Sequence, residues 1–213
     1  MEGAGCGGRG PFGARKAAGE FLLIQSYRDY RHYLEADRIA LNRTKTLKSW
    51  LFDDVWKFQR LLRKLEYATN CSRNGLWRYW LRFRYERLSR ALGFSIPVNV
   101  FGPGLSIAHR GTIVVNDSAK VGANCRIHVC VNIGTQAGTN RDAPTIGDNC
   151  YIAPGAKIFG PIVLGDNIAI GANAVVNKSF PEGNMTIGGI PARQISEKSS
   201  EGLIIEGHPS GAR

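Results

Sequence analysis

Val115-Asn-Asp-Ser-Ala-Lys-Val121-Gly-Ala-Asn-Cys-Arg-Ile127-His-Val-Cys-Val-Asn-Ile133 and Ile146-Gly-Asp-Asn-Cys-Tyr-Ile152-Ala-Pro-Gly-Ala-Lys-Ile158-Phe-Gly-Pro-Ile-Val-Leu164-Gly-Asp-Asn-Ile-Ala-Ile170-Gly-Ala-Asn-Ala-Val-Val176 share one beat: a branched aliphatic at every sixth position. Gly follows many of these residues, at Gly122, Gly134, Gly147, Gly165 and Gly171, and the position four places on is small or aliphatic. A helix asks for a period of 3.6 and a simple strand for a period of 2. A fixed six with a glycine beside it describes short strands separated by turns and stacked coil on coil, with one aliphatic ladder inside. The fold class expected is therefore mainly β, a parallel β-helix of hexapeptide repeats.

Two departures from the beat point to function. After Ile133 the register resumes only at Ile146, seven residues late, so the polar run Thr139-Asn-Arg-Asp-Ala-Pro-Thr145 leaves the coil as a loop. Insertions in solenoids sit on one face, often the binding face. Counting back six from Val115 lands on His109, so the register predicts an imidazole in a slot that otherwise holds an aliphatic. A neutral histidine is the usual general base for a hydroxyl near pH 7. His128 follows nineteen residues later, one past the ladder residue Ile127. With about eighteen residues per three-sided coil, the two histidines fall on the same flank of adjacent coils. His128 reads either as an outward side chain bonded to a neighbouring coil or as a second histidine of the site.

Upstream of the repeat, three helical stretches are readable. They run from about residue 23 to 40, from Asp53-Asp54 to about residue 68, and from about residue 76 to Leu92, where Gly93 serves as a C-terminal stop. Residues 1–95 hold 19 Lys+Arg against 9 Asp+Glu, so +10 of the chain's net +11 lies ahead of the solenoid. The run Trp77-Arg-Tyr-Trp80-Leu-Arg-Phe83-Arg-Tyr85 admits two readings. It is a helix packed on the solenoid or a sister subunit with snorkelling arginines, or a basic amphipathic helix in peripheral contact with an anionic membrane. No nucleic-acid module accompanies the charge, so nucleic acid is not an expected partner. The first 19 residues, rich in Gly, Ala and Arg, read as disordered, and the stretch after about residue 195 reads as a loose tail.

Several chemistries are not indicated. No G-x-S-x-G is present and no cysteine sits beside a base in sequence, so direct transfer fits better than a covalent enzyme intermediate. The second half has neither metal-ligand spacing nor a phosphate-binding glycine loop, so no metal, ATP or NAD is expected. Five scattered cysteines, with Cys125 and Cys150 at small inward positions, read as buried free thiols in a reducing, cytoplasmic compartment. Hydrophobic residues make up 43% of the chain, enough for a sizeable core.

The ordered run Gly104-Leu-Ser-Ile-Ala-His109-Arg-Gly-Thr-Ile-Val-Val115, then Val131-Asn-Ile-Gly134-Thr135, Gly155-Ala-Lys157-Ile-Phe-Gly160 and Ile187-Gly-Gly-Ile-Pro-Ala192-Arg193 resembles the hexapeptide-repeat acyltransferases. The nearest branch is the serine acetyltransferase type, with its relatives that O-acetylate capsule or other surface sugars. The resemblance covers about residues 97–195 and divides the chain into a disordered N-terminus (1–19), a basic helical region (20–95), the repeat acyltransferase domain (96–195) and the tail (196–213). It implies a left-handed β-helix, a homotrimer with clefts between subunits, and acetyl-CoA as donor to a small-molecule or sugar hydroxyl, in cysteine or polysaccharide biosynthesis. It places His109 as the catalytic base, Asp117 at an acidic position of the serine enzymes, and Gly134, Thr135, Pro154 and Ala172 along the pantetheine channel. It makes Lys157 and Lys178 candidates for the CoA phosphates. The chain departs from the serine enzymes at Ala108, where they carry Asp before the catalytic histidine, and at Ala143, where they carry a second histidine in the loop. A serine acceptor, a sugar acceptor and a non-catalytic trimeric scaffold all stay open at this point.

Overall fold

A computed structural model describes residues 23–44, 46–139 and 141–209. The stretch read as a disordered N-terminus lies outside the described residues. Four helices come first: α1 (Tyr27–Ala40), α2 (Leu47–Phe52), α3 (Asp54–Cys71) and α4 (Gly75–Leu92). Short polar side chains open them. Ser26, Thr46, Asp53 and Asn74 accept from the backbone N–H groups of Asp29, Ser49, Trp56 and Trp77, and Gly93 closes α4 in the left-handed conformation at φ 77°. Helix α2 was not legible in the sequence, being six residues with no repeating apolar face.

The rest is a three-walled parallel β-helix. One wall stacks Phe94–Ser95, Ile113–Val115, Asn132–Gly134, Lys157–Phe159 and Val175–Val176; a second stacks Lys120–Val121, Thr145–Ile146 and Val163–Leu164. The third stacks Ser106–Ile107, Arg126–Ile127, Tyr151–Ile152, Ala169–Ile170 and Thr186–Gly188, with Arg193–Ser196 returning antiparallel at its end. All ten ladder aliphatics point inward, none more than 4% exposed. Cys125 and Cys150 lie among them as free buried thiols. Ile158 pairs with Val176, an offset of eighteen, whereas Ile133 pairs with Ile158 and Val121 with Ile146, each an offset of twenty-five. The seven extra residues are the extruded loop, leaving the corner after Gly134.

The register fails in one place. His109 does not occupy the ladder slot. Ile107 pairs with Ile127 at an offset of twenty, so the first coil carries two more residues than the regular repeat. Ile107 is fully buried, and the corner from Ala108 to Thr112 bows outward, leaving His109 exposed. Gly111, at φ 139°, makes that bow, and a Cβ there would stand 3.0 Å from Val129.

The corner between the second and third walls is held by an asparagine column. Asn124, Asn149, Asn167 and Asn184 all adopt left-handed backbone, φ 51–60°. Each Nδ2 donates to the next Oδ1, at 2.9, 2.9 and 2.8 Å. Asparagine suits a left-handed corner because its short amide bonds locally. Asn149→Ala is expected to destabilise the chain by about 2–4 kcal/mol, from backbone strain and from the one hydrogen bond that each neighbouring amide, Asn124 and Asn167, would lose. Asn149→Gly, which relieves the strain alone, should recover part of the loss in urea unfolding; equal stability of all three proteins would refute the role given to the column.

The stretch after residue 195 is not loose as far as residue 209. Ser200 is buried, donating its N–H to the Asn167 carbonyl at 3.1 Å and its hydroxyl to the Asn149 carbonyl. The backbone N–H groups of Gly207 and His208 both donate to Asn124 Oδ1, at 3.0 and 2.9 Å, and His208 meets His32 of α1 at 2.7 Å. These are non-local bonds from a short segment with no periodicity, so no local pattern encodes them.

The helices cap the open N-terminal end of the solenoid. Gln59 of α3 donates to the Leu105 carbonyl at 2.7 Å and accepts from Ile107 N–H at 3.3 Å, taking the place of the neighbouring strand that the first coil lacks. Phe58 packs against Tyr85 of α4 and Phe94 of the first strand, with ring centroids 5.2 and 4.9 Å apart. The first strand begins at Phe94, two residues ahead of the boundary expected at 96.

Candidate active site

The corner between the third and first walls carries the imidazoles. His109 bows out of the first coil and His128 stands at the same corner one coil on, their ring centroids 6.3 Å apart and tilted by 56°. The expected juxtaposition is therefore present, although His109 reaches it from a bulge rather than from the ladder. His128 is half-buried, and its Nε2 is buried with no hydrogen-bond partner among the described residues. Burial, then Arg126 and His109, push its pKa below the ordinary imidazole value, so the ring is neutral near pH 7. Tyr151 continues the row, 5.1 Å from His128 between centroids. The sequence reading missed Tyr151. The signal was available: it directly precedes the ladder residue Ile152, which is an outward position, and the loop shifts the vertical offset to twenty-five.

The other expected site residues divide between two edges of the first wall. Pro154 and Ala172 stand at the histidine corner, in adjacent coils and exposed, with Asn173 N–H donating to the Pro154 carbonyl at 2.9 Å. Lys157 opens the wall strand beside them and its Nζ donates to the Cys130 carbonyl at 2.5 Å. The opposite edge carries Gly134, Thr135, the extruded loop, Asp117 and Lys178. Asn116 N–H donates to the Ile133 carbonyl, which sets Asp117 beside Thr135, and the Val176–Ile158 pairing brings Lys178 to the same edge near Gly160. The wall between the edges is about 10 Å of strand, three residues at about 3.3 Å each. Within one chain Asp117 therefore does not meet His109, and neither does the loop.

His109 also borders an open cavity of about 690 Å³, with Asn42, Thr44 and Thr46 of the α1–α2 connection, Phe52 and Arg110 on its walls. Arg110 faces Asp54 at 3.5 Å. Asp117 lines a different cavity, on the α4 side.

Comparison with known proteins agrees with this geometry. The family model described as bacterial transferase hexapeptide (six repeats) matches residues 143–178. The serine acetyltransferase of Synechococcus elongatus is 33% identical over 175 residues, 78% of this chain and 66% of the relative. That of Helicobacter pylori is 33% identical over 113 residues, 52% of this chain and 66% of the relative. The solved serine acetyltransferase of Brucella abortus in complex with coenzyme A is 26% identical with a TM-score of 0.61, covering 81% of this chain and 68% of that one. The chain thus spans just under two thirds of the length of the two curated relatives. The six-residue ladder, the three parallel walls and these relatives agree: the chain belongs to the hexapeptide-repeat acyltransferase family, with its left-handed β-helix.

Proposed function

We propose that this chain is an acetyl-CoA-dependent O-acetyltransferase of the serine acetyltransferase type, with His109 as general base. The observation that carries the reading is the His109–His128 pair on the outer corner of a hexapeptide solenoid whose relatives bear that activity. The acceptor hydroxyl gives its proton to His109 while its oxygen bonds to the thioester carbonyl carbon. The tetrahedral intermediate then collapses, the C–S bond breaks, and the imidazolium returns the proton to the departing CoA sulfur. The neutral His128 beside it positions the acceptor, and backbone N–H groups of the coil corners stabilise the oxyanion. Gly134, Thr135, Pro154 and Ala172 line the pantetheine path, with Lys157 and Lys178 toward the CoA phosphates.

The division of these residues between two edges favours a homotrimer. One subunit's histidine corner then faces the next subunit's loop edge, which brings Asp117, Thr135 and Lys178 to His109 across a cleft. Light scattering should report a trimer, and a fully active monomer would overturn this arrangement.

L-Serine is the acceptor by likeness to the named relatives. A sugar hydroxyl is the second reading. It is favoured by Ala108 and Ala143 at the two polar positions of the serine enzymes and by the roomy, hydroxyl-lined cavity beside His109. Thiol release from acetyl-CoA over L-serine and a panel of sugars tests both. Turnover with serine supports the first and turnover with a sugar alone the second; release with neither leaves a scaffold and defeats the proposal.

A further inference from the structure

One face of the helical layer is aromatic, basic and exposed. Helix α2 turns Leu47, Trp50 and Phe52 outward, 71, 54 and 74% exposed, and α4 turns out Leu76, Tyr79, Trp80 and Phe83, 85, 72, 46 and 59% exposed. The α4 residues are spaced by three and four, so they form one stripe, opposite the buried Leu81, Tyr85 and Leu92. Helix α3 joins the two sets. Arg60 and Lys64 are one turn apart on it, the first 4.6 Å over the Trp50 ring and the second 4.9 Å over Trp77. Arg84 lies 4.8 Å over Trp80 and Arg87 5.9 Å over Phe83. Along α4 five arginines stand against a single acid, Glu86.

We propose that this face seats the protein on an anionic lipid surface, with α4 in the headgroup plane, Trp80 and Phe83 inserted, and the arginines facing lipid phosphates. Aromatic rings and arginines mark protein interfaces too, so the charge balance decides for lipid: five arginines against one acid on α4 complement an anionic leaflet. Tryptophan and tyrosine with snorkelling arginines are also the composition of an interfacial helix. Among the described residues no helix is long and apolar enough to cross a membrane, so the contact is peripheral. Phe52 belongs both to this face and to the rim of the His109 cavity, so docking holds that cavity at headgroup level. The inference does not depend on the acceptor or on the acetyl-transfer reading.

Co-sedimentation of the full chain tests it, using phosphatidylcholine vesicles with and without phosphatidylserine. The chain should bind only the anionic vesicles, and less as salt is raised. Arg84→Gln with Arg87→Gln should weaken partition about 25-fold, each basic residue near an anionic leaflet being worth about fivefold. Trp80→Ser with Phe83→Ser should abolish it, while both variants keep the wild-type unfolding temperature. Failure of the wild type to bind overturns the proposal, as does undiminished binding by both variants. So does a larger wild-type particle in light scattering that Trp80→Ser with Phe83→Ser reduces, which would make the face a contact between protein copies.

Discussion

His109→Asn lowers kcat by about 10²–10⁴-fold, the ordinary contribution of a positioned acid–base group, and leaves acetyl-CoA affinity nearly unchanged. Asparagine keeps a polar group of similar reach but cannot take the acceptor's proton. The imidazole is exposed on a bowed corner, away from the aliphatic ladder, so the substitution leaves the core intact and an unchanged unfolding temperature should accompany the loss. His128→Asn separates positioning from proton transfer. It leaves the base in place and should raise the acceptor KM more than it lowers kcat. If His109→Asn keeps near-normal kcat while His128→Asn abolishes turnover, the two roles are reversed. The half-buried, neutral His128 beside Tyr151 is then the base. If both keep normal kcat, the solenoid is no acetyltransferase of this kind.

The repeat was readable because a solenoid writes its core locally: each coil repeats one short pattern, and Val115 through Val176 state it ten times. The extruded loop was readable as a phase slip in that pattern. The exposure of His109 was not, because backward counting in sixes assumes a corner of constant length. Two further residues between Ile107 and Ile113 moved the imidazole from an inward slot to an outer corner, and Ile107 itself was the ladder residue. Gly111 was the local signal, a glycine at a corner whose backbone side chains rarely adopt. The two-edge division of the site also escaped a linear reading. Thr135 and Pro154 are close in sequence, yet a whole wall separates their corners. The asparagine column was in view as Gly-Ala-Asn124, Gly-Asp-Asn149 and Gly-Asp-Asn167, but recognising it needs the left-handed corner that stacks the amides. Contacts between the helices and the first coil depend on side chains far apart in sequence, and no periodicity encodes them.

The strongest of those contacts centres on Arg63, and Arg63→Met is expected to cost about 3–5 kcal/mol, the usual penalty for stranding a buried charge. Arg63 is fully buried in α3. It grips Asp37 of α1 through Nε at 2.8 Å and Nη2 at 3.1 Å, meets Glu66 at 3.0 Å, and donates to the carbonyls of Phe101 and Gly102 at 2.9 and 2.7 Å. Asp37 Oδ1 in turn accepts from the N–H groups of Gly104 and Leu105, both at 2.9 Å, and Glu66 from Asn99 N–H at 2.8 Å. One guanidinium thus joins two helices to the first coil. For a chain of this size the loss corresponds to roughly 6–20 °C in Tm. The pH dependence shows whether stranded carboxylates are the cause. Burial already raises the pKa of Asp37 and of Glu66, with Arg63 opposing the rise. Without Arg63 both climb further. A carboxyl whose folded pKa exceeds its unfolded one makes the folded state less stable as pH rises between the two values. The deficit of Arg63→Met should therefore be largest near neutrality and shrink as pH falls toward the ordinary carboxylate range and both groups protonate. Asp37→Asn and Glu66→Gln added to Arg63→Met should flatten that pH dependence and recover part of the stability. A deficit independent of pH, left untouched by those two changes, would assign the loss to packing and to the unpaired carbonyls of Phe101 and Gly102 instead.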